Sequence, residues 1–138
     1  MTTHVAEHFP YAEIVRTLPV DKPWGSEVIF ATGENAYVGK LITVLAGHSL
    51  SLQYHEHKDE TIRMMTGEAL LEHGPSADDL RRRVMYPGHT IHVPAHCVHR
   101  ITAITDVLLV EVSTAAEGWR DDVVRLSDRY GRTGTTAP

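Results

Sequence analysis

Residues 47–67 read Gly47-His48-Ser49-Leu50-Ser51-Leu52-Gln53-Tyr54-His55-Glu56-His57-Lys58-Asp59-Glu60-Thr61-Ile62-Arg63-Met64-Met65-Thr66-Gly67, and residues 88–103 read Gly88-His89-Thr90-Ile91-His92-Val93-Pro94-Ala95-His96-Cys97-Val98-His99-Arg100-Ile101-Thr102-Ala103. Both stretches set short runs of aliphatic and β-branched residues between Gly, Pro and Asp, which is how strands are punctuated. Eight of the ten histidines fall between positions 48 and 99. Together the two stretches present Gln53, His55, Glu60 and His99, a nitrogen- and oxygen-donor set suited to one divalent metal.

The same punctuation runs outward through the chain. Candidate strands are Ser26–Ala31, Ala36–Ala46, Ser49–His55, Thr61–Thr66, Glu68–Glu72, Arg81–Tyr86, Thr90–Val93, Arg100–Ala103, Val107–Val112 and Asp122–Leu126. Helical periodicity is confined to a short stretch from Tyr11 to Leu18. The chain is therefore expected to be all-β, an antiparallel sandwich or barrel. Gly33-Glu34-Asn35 reads as a hairpin loop, His73 to Asp79 as a polar loop, and Tyr86-Pro87-Gly88 as a turn. Gly67 is expected to close a further hairpin. Ala36–Ala46 carries apolar residues on both faces, with Val38, Ile42 and Val44 alternating with Tyr37, Leu41 and Leu45. Such a strand fits a sheet whose outer face is also covered, for example by a second subunit. Lys40, its only charge, must end in water, in an ion pair or in a polar cavity.

At 138 residues the chain is expected to form one domain, 1–138, with residues 133–138 a frayed tail. A formal charge of −5 argues against a nucleic-acid partner, and Arg81-Arg82-Arg83 reads as an exposed strand edge. Cys97 is the single cysteine, so no intrachain disulfide forms. It reads as a small buried thiol. No run approaches the roughly 18 apolar residues that span a bilayer, and Met1 to Phe9 lacks a signal pattern. A cytoplasmic protein is expected.

Strand side chains alternate, so Gln53 and His55 share one side and can both point into a barrel. Glu60 has the opposite parity and joins them only if the chain turns or bulges after His57, for which Lys58-Asp59 provides the place. Pro94 ends one strand, and His99 begins the next on the facing wall. One amide, one carboxylate and two imidazoles suit zinc, iron, manganese, cobalt or nickel; ligand type alone does not choose, and zinc is expected first. His57 competes with Gln53 as a ligand; otherwise it stands close to the metal as a proton carrier. His4, His8, His48, His73 and His89 read as exposed or hydrogen-bonded side chains.

The paired segments resemble the two signature motifs of the cupin superfamily. That resemblance implies a small double-stranded β-helix, a jelly-roll barrel, here with a short N-terminal extension. Within it, Lys22-Pro23-Trp24-Gly25, Lys40 to Val44, Ser51 to His57, Glu60, His99-Arg100, Glu111-Val112 and Asp121 to Arg132 look like the type II phosphomannose isomerase domain. The match covers about residues 20 to 132. The sequence departs from that family's pattern at Lys58-Asp59-Glu60-Thr61, Ala103, Arg120 and Arg129.

What the resemblance implies is interconversion of mannose 6-phosphate and fructose 6-phosphate by a free-standing domain, commonly a homodimer. Moving a proton between C1 and C2 through a cis-enediol needs enediolate stabilisation and a base of near-neutral pKa. His57 and Lys40 are the candidate carriers, with Glu111 third. Arg100, next to His99, is a candidate for holding a developing oxyanion or a phosphate, and Arg132 for a phosphate clamp. Trp24 and Tyr130 read as packing residues, and Arg125 and Arg132 have Asp121, Asp122 and Asp128 as nearby ion-pair partners. Rival readings are another metal-dependent cupin enzyme (a dioxygenase, epimerase or lyase) and a non-catalytic sugar-binding module.

Overall fold

The computed structural model describes residues 11–32, 34 and 36–132. Their strands are β1 (Val20–Lys22), β2 (Gly25–Thr32), β3 (Tyr37–Val44), β4 (Leu52–Tyr54), β5 (Glu60–Thr66), β6 (Ala69–Ser76), β7 (Asp79–Met85), β8 (Thr90–Val93), β9 (Val98–Ala103), β10 (Val107–Thr114) and β11 (Val124–Ser127). One sheet has the order β1-β2-β3-β10-β5-β8 and the other β11-β4-β9-β6-β7, with antiparallel neighbours throughout. The only helical piece among the described residues is a single 3-10 turn, Trp119–Asp121. No helix there is long and apolar enough to cross a membrane. The all-β expectation holds, and the two sheets form a jelly roll.

Inward-facing rows change character along their length, and this places the site. The buried residues of the inward rows are Val107, Leu109, Glu111 and Ser113 along β10, Met64, Ile62 and Glu60 along β5, and Ala103, Ile101 and His99 along β9, whose first residue Val98 is buried as well. Register aligns the rows, because Leu109 lies opposite both Ile42 and Met64 while Glu111 lies opposite Lys40. One end of the barrel is therefore packed hydrocarbon, and the other collects charge. Met64, Met85, Ala69, Val107 and Leu109 are at most 1–2% exposed, which gives the apolar end a dry, close-packed interior. That rigid end holds the strands on which the polar end is mounted.

Several sequence expectations need correction. Residues 11–19 are irregular rather than helical, with Tyr11, Ile14, Val15 and Leu18 exposed; their apolar stripe has no described surface to bury against. Gly67 does not close a hairpin, because β5 and β6 lie in different sheets. It turns the chain between them at φ 83°, where a Cβ would stand 2.1 Å from the Asp106 carbonyl oxygen. The polar stretch 73–79 is mostly strand: Ser76 pairs with Asp79 across a two-residue turn, and a bulge between His73 and Ser76 accommodates Pro75, which has no N–H to give.

Other expectations agree with the structure. His89 N donates to Tyr86 O at 3.0 Å with Gly88 at φ 90°, which closes the Pro87-Gly88 turn. Arg81, Arg82 and Arg83 lie exposed on β7, an edge strand. On β3, Val38, Ile42 and Val44 face the core, whereas Tyr37 and Leu41 remain exposed on the outer face. Cys97, expected as a buried thiol on a strand, is instead half-buried just ahead of β9, where partial burial pushes its thiol up. Gly33 and Asn35 of the expected hairpin loop, the N-terminal residues 1–10 and the tail 133–138 lie outside the described residues.

Candidate metal centre

Three side chains from both sheets meet at the polar end. His55 follows β4, Glu60 opens β5 and His99 lies in β9. One ligand atom of each lies within 4.8 Å of the others, and all three residues are buried. His55 Nε2 is 3.1 Å and His99 Nε2 3.5 Å from Glu60 Oε1.

The tautomers follow from the other ring nitrogens. His55 Nδ1 donates to the carbonyl of Asp122 at 2.6 Å, and His99 Nδ1 donates to the carbonyl of Cys97 at 2.9 Å. A carbonyl only accepts, so each Nδ1 carries a proton and each Nε2 is the ring nitrogen turned toward Glu60, where it serves as a metal donor when it bears a lone pair. His55 Nε2 and Glu60 Oε1 are both buried without a hydrogen-bond partner. At 3.1 Å in a buried site these two atoms need a proton or a cation between them. The donor chemistry therefore fits a divalent ion, and the carbonyl contacts are the outer hydrogen bonds that metal-binding histidines use.

Asp122 fixes the loop that carries these groups. Its carboxylate accepts backbone N–H groups from Glu56 (2.7 Å), His57 (3.0 Å) and Lys58 (2.8 Å). Burial alone would raise this carboxyl, but the three donors outweigh it and hold it below the ordinary range. The chain bends at Glu56 and His57, two residues before the expected Lys58-Asp59. Past this bend Lys58 is buried on the same side as Glu60, and His57 is exposed, outside the cavity lining.

Lys58 is the residue that sequence reasoning missed. Its ammonium lies 3.2 Å from Glu60 Oε2 and 4.0 Å from Glu111 Oε2. Burial opposes its charge, but Glu60 and Glu111 together raise its pKa. For Glu60, burial is likewise the largest effect and acts upward, yet His55, His99 and Lys58 hold it well below the carboxylate range. Glu111 goes the other way: burial and the charge of Glu60 push it up to about 8, against the pull of Lys40 and Lys58. Neighbouring carboxyls are thus driven apart in proton affinity, the arrangement that acid–base sites exploit.

The other expected site residues divide into two groups. Gln53 lies directly across from His99 in the β4–β9 ladder and lines the cavity, with its Oε1 accepting from the Ser51 hydroxyl. Lys40 lines it too, paired with Glu27 at 3.2 Å and lying 5.7 Å from the Trp119 ring centroid. Arg132 reaches the rim while bound to Asp128 by two hydrogen bonds of 2.8 and 3.0 Å, and Arg125 lines the same cavity. Arg100 is not there. Adjacent strand residues face opposite ways, so while His99 points in, Arg100 points out and binds Glu72 at 2.9 Å on the far side of the sheet. Trp24 packs in the core beneath the cavity, and Tyr130 bonds His48 Nδ1 at 2.7 Å.

A family model described as "Mannose-6-phosphate isomerase C-terminal" matches residues 12–128. The chain belongs to that family. Xanthan biosynthesis protein XanB of Xanthomonas campestris is 31% identical over 116 residues, covering 83% of the chain and 24% of XanB. Mannose-1-phosphate guanylyltransferase ManC of Salmonella typhimurium is 32% identical over 129 residues, covering 91% of the chain and 24% of ManC. The chain thus spans about a quarter of the length of these relatives. Among solved structures, the capsular polysaccharide assembling protein CapF of Staphylococcus aureus superimposes with a TM-score of 0.70 at 14% identity, over 81% of this chain and 34% of CapF. A Bacillus subtilis oxalate decarboxylase, described with Mn(II) centres, gives 0.65 at 20% identity, over 78% and 29%. These likenesses show the jelly-roll fold that the cupin resemblance implies.

Proposed function

We propose that this member of the mannose-6-phosphate isomerase C-terminal family is a metal-dependent aldose–ketose isomerase acting on a sugar phosphate of the mannose 6-phosphate/fructose 6-phosphate type. The observation that carries the reading is the buried Lys58–Glu111 pair, 4.0 Å apart and adjoining Glu60, which is itself within reach of His55 and His99. In this proposal Gln53, His55, Glu60 and His99 hold one divalent ion, zinc first. A bound ion there supplies Lewis acidity toward the carbonyl and hydroxyl oxygens at C1 and C2.

The chain's own residues do the rest. Glu111, poised near neutrality, exchanges the proton between C1 and C2, as a base needs a pKa close to the working pH. Lys58 holds positive charge against the developing enediolate. Lys40 and Trp119 border the cavity where a sugar ring would lie. Arg125 and Arg132 line the same cavity, where a phosphate group would meet guanidinium donors.

The test is proton exchange. Metal-replete protein is incubated with mannose 6-phosphate in deuterated water, and recovered substrate is examined for deuterium at C2. Incorporation supports the isomerase. No exchange across a panel of hexose and pentose phosphates would sink it in favour of a sugar-binding cupin or another cupin chemistry.

A further inference from the structure

A second cavity, of about 280 Å³, lies on the opposite face of the sheet that carries His99. Its walls include Arg82, Arg100 and Arg129 around a single carboxylate, Glu72. Register explains the convergence: Glu72 of β6 lies opposite Arg100 of β9 on one side and Arg82 of β7 on the other. Arg129 arrives from the segment after β11 and donates one terminal amino group to the Gly47 carbonyl.

Glu72 is only 6% exposed in its side chain, and it engages both neighbours through Nε alone, Arg100 at 2.9 Å and Arg82 at 3.3 Å. Among the described residues, the terminal amino groups of Arg82 and Arg100 make no hydrogen bond to protein. One buried carboxylate thus holds two guanidiniums in place by their inner edges and leaves their outer edges for a ligand. Three cations against one anion leave two positive charges in the pocket, in a chain whose formal charge is −5. The Thr102 hydroxyl is spent on Ser49, and that of Ser49 on the Leu50 carbonyl. The guanidinium amino groups and Ser127 are therefore the donors that remain, while Leu50 and Leu70 give the cavity an apolar floor.

We propose that this outer cleft binds a small phosphoryl-bearing anion, separately from the metal centre on the other face of β9. A phosphoryl group carries close to two negative charges at neutral pH and three acceptor oxygens, which match the two uncompensated charges and the three converging guanidiniums. A planar monocarboxylate would leave one charge and one arginine unanswered. The apolar floor suits a short carbon skeleton attached to the phosphate.

The test uses the intact chain and calorimetric titration with inorganic phosphate and, in a second arm, a hexose 6-phosphate. Arg82 is 72% exposed in its side chain and Arg129 is exposed, so an Arg82→Ala/Arg129→Ala double variant keeps the Glu72–Arg100 pair and the fold. Binding of phosphate to the wild type, weakened roughly tenfold or more in the double variant and unchanged in His55→Ala, is the expected result. Arg100→Lys, which keeps a cation for Glu72 but loses the fork, is expected to weaken binding as well. A crystal soaked in phosphate should show density among Arg82, Arg100 and Arg129. Equal affinity in wild type and double variant, density only near Arg125 and Arg132, or no phosphate binding at all would overturn the proposal. The isomerase assay is read independently, because neither Arg82→Ala/Arg129→Ala nor Arg100→Lys alters a residue lining the metal-side cavity.

Discussion

Asp122 holds His55 and the loop beyond it from one position: its carbonyl accepts the imidazole Nδ1–H at 2.6 Å, while its carboxylate accepts the N–H groups of residues 56, 57 and 58. A single residue in front of β11 thus sets the His55 tautomer, the bend that brings Lys58 inward, and the approach of Glu60. Asp122→Ala leaves the carbonyl but frees the loop. Metal affinity is expected to fall roughly 10- to 100-fold, as for other outer contacts to metal ligands. Competition against a chromophoric chelator would measure it, and unchanged affinity would show that the loop keeps its shape without the carboxylate.

His55 and His99 are tied down from outside the site, so removing either should cost metal rather than fold. His55→Ala and His99→Ala are each expected to lose stoichiometric metal by elemental analysis while retaining a cooperative melt. Glu60→Ala should behave differently. With side-chain exposures of 2% and 7%, Glu60 and Lys58 form a buried pair, and truncating Glu60 leaves the buried ammonium only its longer 4.0 Å contact with Glu111. A loss of about 3 kcal/mol or more in denaturant unfolding is expected. Metal retained in both histidine variants would refute the centre.

Lys58 and His57 are neighbours with opposite orientations, which gives a clean comparison. His57→Ala should leave turnover within about twofold, because its ring is exposed and outside the cavity. Lys58→Met should lower kcat by roughly 10²-fold or more if the lysine offsets enediolate charge. Steady-state isomerisation kinetics on both variants would show it. A larger defect in His57→Ala than in Lys58→Met would reverse the assignment.

Much of this site was legible from the sequence, and the errors share one cause. Period-two alternation assigns faces where a strand runs straight, so it pairs Gln53 with His55, and both line the cavity; Lys40 and Glu111 come from the family resemblance rather than from alternation, and they line it too. Alternation also gives Arg100 the face opposite His99, yet sequence adjacency suggested a shared role; parity was the better guide. At Glu56-His57 the ladder is interrupted, and parity beyond an irregular bend depends on which residue absorbs it. Here Asp122, some 65 positions away, decides that through its hydrogen bonds. No local signal encodes such a contact. Gly67 fails for a related reason, since strand pattern and glycine position are the same whether a turn joins neighbours in one sheet or passes between two.

Glu111 makes stability depend on pH in an unusual sense for a carboxylate. In the metal-free folded protein burial and Glu60 raise it from 4.5 to about 8. Below the unfolded value both states hold the proton and the residue contributes no slope. Between the two values the folded state keeps a proton that the unfolded chain has lost, so stability falls as pH rises, and the slope ends once pH passes about 8. Glu60 and Asp122, held below their ordinary values, act in the opposite sense and at more acid pH, as stability lost on acidification. Urea unfolding of chelator-treated protein from pH 5 to 8.5 should therefore show declining stability in the wild type and a flatter profile in Glu111→Gln. Parallel profiles would assign the slope to another group and remove Glu111 from its place as the proton carrier.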